Sequence, residues 1–155
     1  MRLRQMAGAI GAGVMVLTIA GAALVVTPAS ATPVTSRLSV PLSGTVFDSV
    51  TNENVDVSAT LSVITKFTGS FLSVRIKPTS VTATGETTGF PYSLKGTTKV
   101  TIPGNPVYQV VAFFHLIPGN PILPKGKPII SAIATLDLSG TGQVTIPSPP
   151  AFGGG

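Results

Sequence analysis

The sequence predicts a single all-β domain, an antiparallel β-barrel or β-sandwich of about eight or nine short strands, behind a secretory signal. Three observations carry that prediction. From residue 36 onward apolar residues recur at every second position, and no window shows the 3.6-residue stripe of an amphipathic helix. Turn signals rich in Gly, Pro, Asn and Ser interrupt this alternation at short intervals, as in sandwiches and barrels. Only 10% of the 155 residues are charged, too few to coat the outer faces of soluble helices.

The N-terminal 31 residues read as the signal. Arg2 and Arg4 form a positive start, and from Ala7 to Val26 every residue except Thr18 is apolar or Gly. Pro28 then breaks the helix, and Ala29 and Ala31 supply the small residues that a signal peptidase accepts. A retained membrane anchor is the competing reading, since about 20 apolar residues can span a bilayer. Four glycines in the stretch and the clean cleavage site favour removal, which makes the protein secreted or extracytoplasmic. The expected organisation is therefore 1–31 signal, 32–146 all-β domain and 147–155 a disordered Pro/Gly tail without periodicity.

The strands follow in order. Leu38, Val40, Leu42, Gly44 and Val46 share one face of a first strand, and Pro41 within it argues for an edge position or a bulge. A polar turn spans Asp48 to Asn54. Val55, Val57, Ala59, Leu61, Val63 and Phe67 then alternate with polar residues, and Leu72, Val74 and Ile76 return after Gly69-Ser70, making a long hairpin. Beyond Pro78 the segments shorten, through Val81-Ala83, Phe90-Tyr92-Leu94 and Val100-Ile102. Val107 to Ile117 has apolar residues on both faces, which suits a strand buried on each side. Ile130, Ala132, Ala134, Leu136 and Leu138 alternate again, and Gln143 to Ile146 closes the series. Ile102-Pro-Gly-Asn-Pro-Val107 recurs as Ile117-Pro-Gly-Asn-Pro-Ile122, two similar turns in which Pro fixes φ and Gly accepts a positive one.

Composition excludes much chemistry. There is no Cys and one His, so disulfides, thiolate metal sites and a thiol nucleophile are absent, and multi-imidazole sites are closed to a single chain. Without its signal the chain holds eight basic and five acidic residues. Charge this sparse, without stacking aromatics, is no nucleic-acid footprint. Asp48, Glu53 and Asp56 lack the spacing of a calcium loop and read as a solvated turn. No metal or cofactor is expected.

Three stretches carry a resemblance. Ser43-Gly44-Thr45-Val46-Phe47 with Asn52-Glu53, Val81-Thr-Ala-Thr-Gly85 with Thr87, Thr88, Gly89 and Tyr92, and Val111 to Leu116 with His115 together resemble an uncharacterised family of small secreted bacterial β-proteins. In that family a Gly-Thr-Val run leads into Asn-Pro-Cys-Thr-Gly-Glu. This chain departs from it at Val50, near the place of the Cys, and in Ser58 to Thr65, where the family's second-strand histidines are missing. The resemblance implies a compact, barrel-like exported domain and brings no activity with it.

The function expected is a secreted, non-enzymatic binding or interaction protein for a small apolar ligand or a cell-envelope component, with His115, Tyr92 and Tyr108 as candidate ligand-binding residues. Two alternatives stand beside it. One is a cofactor-free isomerase or cyclase that uses Tyr92 or Tyr108, His115 and a carboxylate in a barrel mouth. The other is a membrane-active oligomer built on the Val55–Ile76 hairpin, whose alternation would also suit a lipid-facing strand pair.

Overall fold

The computed structural model describes residues 32–122 and 126–153. The signal sequence, with Ala29 and the Ala31 cleavage position, lies outside them.

Among the described residues nine antiparallel strands form one sheet: β1 (Val34–Asp48), β2 (Glu53–Phe67), β3 (Phe71–Gly85), β4 (Pro91–Lys95), β5 (Thr98–Pro103), β6 (Val107–Pro118), β7 (Ile129–Leu138), β8 (Val144–Thr145) and β9 (Ala151–Phe152). The ladder runs β9-β7-β6-β4-β3-β2-β1, with β5 also on β3 and β8 on β7. The sheet curls until its two ends meet, so the fold is a nearly closed barrel. At the meeting point the Phe152 ring of β9 lies against Gly44 of β1, 3.1 Å from where a Cβ would stand.

Closure places one face of every strand inside. Val55, Val57, Ala59, Leu61 and Val63 of β2 pack with Leu72, Val74 and Ile76 of β3, Leu94 of β4, Phe114 and Leu116 of β6, and Ala134 and Leu136 of β7, all buried. The apolar side of the Val55–Ile76 hairpin is thus part of this core. Pro41 sits on the terminal strand of the ladder, a position that tolerates a missing backbone donor.

Three features differ from the expectation. First, β3 does not end at Pro78 but continues to Gly85. Leu61 pairs with Pro78 and Thr60 with Ser80, so Thr79 is an extra residue, and its hydroxyl donates to the Thr60 carbonyl at 3.1 Å. The odd spacing from Ile76 to Val81 requires such a bulge if both are to face inward.

Second, β6 is buried on one face only. Val110, Ala112, Phe114 and Leu116 point into the core, whereas Val111 is 40% and Phe113 56% exposed. Among the described residues no second layer packs on the outside of the sheet to cover another apolar face.

Third, the 147–155 segment is drawn into the fold within its described part. Ala151 and Phe152 pair with Ile133 and Ala132, and Gly153 N–H donates to the Ser131 carbonyl at 2.9 Å. The free edge of β7 offers backbone partners, and Phe152 gains apolar contact beside Gly44, which together outweigh the weak strand propensity of a Pro/Gly-rich sequence.

Candidate functional site

The β1–β2 turn places two carboxylates inside the barrel end. Asp48 and Glu53 face each other across the turn and are 0% and 4% exposed. Asp48 Oδ1 accepts from Val50 N–H at 2.8 Å and Thr51 N–H at 3.4 Å, an Asx turn that folds the chain back. Its Oδ2 is buried without a hydrogen-bond partner among the described residues. Asn52 completes the turn at φ 58°, a left-handed conformation that Asn accepts better than most residues. The solvated turn expected from sequence is instead a buried polar cluster. Only Asp56 remains outside, accepting from the Thr45 hydroxyl at 2.8 Å.

Glu53 is the centre of that cluster. Its Oε1 accepts from the Tyr92 hydroxyl at 2.9 Å and the Thr88 hydroxyl at 2.9 Å. Its Oε2 accepts from the backbone N–H groups of Thr87 and Thr88 at 3.2 and 3.1 Å. Because the phenol proton goes to Glu53, the Thr51 hydroxyl donates to the phenol oxygen at 2.7 Å. The β3–β4 loop wraps the carboxylate so closely that a side chain at Gly85 would overlap it.

The electrostatics follow from this geometry. Burial raises the Glu53 pKa, but the Thr88 N–H, the Tyr92 and Thr88 hydroxyls and the Thr87 N–H together outweigh it and hold the carboxyl below its usual range. Burial first, and then the neighbouring Glu53 and Asp48 charges, push the Tyr92 phenol up to about 12, against the donor bond from Thr51. The pair therefore rests as carboxylate and neutral phenol, with neither group poised near neutral pH for proton transfer. It acts as a polar pin that ties the start of β2 to the β3–β4 loop and to β4.

The candidate residues do not converge. Tyr92 is buried in the pin. His115 lies on the outward face of β6, with Nδ1 3.3 Å from the Lys127 carbonyl. The two thus stand on opposite faces of the sheet. Tyr108 is half-buried and pairs with Leu136, seven residues and about 23 Å along β6 from His115.

A different arrangement forms at the barrel seam. Strand β9 pairs with Ala132 and Ile133, Gly153 adds one bond to Ser131, and among the described residues no strand bridges the start of β7 and the end of β1. A cleft of about 620 Å³ opens there, lined by Val46, Phe47, Ile129, Ile130 and Phe152, with Thr45, Asn54 and Ser131 as its polar members. Phe47 is 56% and Ile129 64% exposed. The apolar lining continues around the barrel, because Ile133 pairs with Val111 and Ser131 with Phe113 on the outer face.

Sequence reasoning missed both features. Parity held the signal for the first: Glu53 is two residues before Val55, and Asp48 two after Val46, on the inward series. The second carries no local signal, because the seam brings the end of β1 beside the start of β7 and Phe152, residues far apart in sequence.

Among the described residues no group of three or more His, Asp or Glu is arranged to hold a metal, and no helix is long and apolar enough to cross a membrane. No family model, curated protein or solved structure matches the chain.

Proposed function

We propose that the protein is a secreted, non-enzymatic binding protein that holds a small apolar ligand in the seam cleft between β1 and β7. The observation that carries this reading is the cleft itself, with Phe47, Ile129, Ile130 and Phe152 around about 620 Å³ of open space. A small-molecule site usually joins apolar walls to a few placed polar groups, and this cleft has both. Thr45, Asn54 and Ser131 would orient a ligand that carries one polar group. The barrel interior, by contrast, holds the cluster of buried apolar side chains that forms the core. The non-enzymatic part rests on the dispersion of the titratable groups: His115 outside, Tyr92 and Glu53 locked together in the pin.

The test uses N-phenyl-1-naphthylamine, a neutral apolar fluorophore. Its emission is expected to rise saturably with the wild-type chain and to weaken at least roughly fivefold in affinity in the double variant Phe47→Ser/Ile129→Ser. Both side chains are mostly exposed, so the thermal midpoint should stay close to wild type. Absence of saturable binding, or equal binding by the double variant, would contradict the proposal.

A further inference from the structure

The outer surface of β1, β2, β3 and β5 carries a second kind of groove. Arg37 pairs with Ile64, Ile64 with Arg75, and Arg75 with Lys99, so one row across four strands holds three cations over about 14 Å. The next row is Thr35, Lys66, Ser73 and Thr101, and the row on the other side holds Ser39, Ser62 and Lys77. No Asp or Glu occupies any of the three. The nearest carboxylate along β2 is Asp56, eight residues and about 26 Å from Ile64, well beyond the screening length at physiological salt.

Five of the ten basic residues of the chain therefore share one patch. Like charges placed directly opposite on neighbouring strands, as Arg75 and Lys99 are, destabilise a sheet. The surface between them is concave: Lys66, Ser73, Arg75, Lys99 and Thr101 stand around a groove of about 340 Å³ whose floor also includes Ile64, Val74 and Val100. The Ser73 and Thr101 hydroxyls lie 3.3 Å apart and can turn their protons outward to an acceptor.

We infer that this groove binds a linear polyanion through tetrahedral oxyanion groups, phosphodiester or sulfate. Arg75 and Lys99 stand about 5 Å apart on neighbouring strands, Arg37 about 10 Å from Arg75, and Lys77 about 7 Å from Arg75 along β3, so charges spaced along an extended polymer can meet several of them. Concavity suits a chain laid across the strands rather than a flat membrane. The cation rows hold no aromatic side chain on which a base could stack, so the polymer's charges are what the groove reads.

Dextran sulfate is the probe, titrated by calorimetry against the purified chain at several salt concentrations. Binding is expected to weaken with salt, with a log–log slope of about −2 to −3 for three engaged cations. Lys99→Gln should lower the affinity roughly five- to tenfold and reduce the slope by about one. Lys127→Gln removes the same charge beyond the groove and should change affinity less than about twofold. Equal losses in both variants, or no binding at about 50 mM salt, would overturn the inference. So would inorganic phosphate that binds as tightly as the polymer, phosphatidylglycerol vesicles that bind where the polymer does not, or single-stranded oligothymidine that binds more tightly than dextran sulfate.

Discussion

Two outer faces of the same barrel differ sharply, although the strands beneath them are built alike. On β2 and β3 most inward residues are Val, Leu, Ile and Ala, and most outward ones are Ser, Thr, Lys and Arg, with Ile64 and Phe71 as the apolar residues of that outer face. On β6 and β7 the inward set is just as apolar, but Val111, Phe113, Ile129 and Ile133 also stand on the outside. The fold needs only the inner half of each alternation. What is written on the outer half is therefore free to vary, and each face there presents its own chemistry. One side offers cations and hydroxyls around a groove, and the other offers apolar surface that runs into an open seam.

Adjacent residues on β6 break or sharpen this comparison most strongly. Phe114 is fully buried, and Phe114→Ala should cost about 3–5 kcal/mol of stability through lost burial and the cavity left behind. Phe113→Ala, one residue away on the outer face, should change stability by less than about 0.5 kcal/mol. Denaturant unfolding of the two variants measures both. Similar losses would mean that the outer face is covered after all.

The next effect lies at the pinned end. Gly85→Ala forces a methyl group into the space of the Glu53 carboxylate and should destabilise by about 1–3 kcal/mol. Tyr92→Phe keeps the ring and removes one donor from a buried acceptor, at a cost of about 1–3 kcal/mol. Thermal melts of both variants provide the check, and neutral melts would show that the pin contributes nothing to closure.

Acid and base should separate the two members of the pin. Glu53 is held below its ordinary value, so the stability it brings is present above pH 4.5 and fades as pH falls through its lower folded value. Tyr92 is shifted from 10.0 to about 12, so its stability is complete below pH 10 and is lost as pH rises toward 12. Stability curves of Glu53→Gln on the acid side and Tyr92→Phe on the alkaline side should each be flatter than wild type. Parallel curves would remove these groups as the cause. The smallest expected effect is that of Thr45→Ala, which deletes an exposed bond to Asp56 and should move stability by less than about 0.5 kcal/mol.

Period-two alternation made most of the fold legible, because the rule that fills a barrel also writes a readable pattern. Leu61, Leu72, Val74 and Leu136 all sit on the face their parity assigns. Parity also held more than composition suggested: it placed Asp48 and Glu53 inside, where a cluster of polar residues reads as solvent. The bulge at Thr79 was encoded as an odd spacing between Ile76 and Val81. Other features were not legible. The seam depends on how far β9 reaches along β7, which is a matter of barrel closure and long-range register. The cationic groove needs Lys99 beside Arg75, 24 positions earlier, and no local pattern records that pairing.

The most direct measurement is a two-dimensional amide NMR titration with N-phenyl-1-naphthylamine. Saturable shifts are expected at Val46, Phe47, Ile129, Ile130, Ser131 and Phe152, with the amides of Leu61, Phe114 and the Glu53–Tyr92 pin unmoved. Shifts centred on the interior, or scattered over the surface without saturation, would contradict a ligand site at the seam.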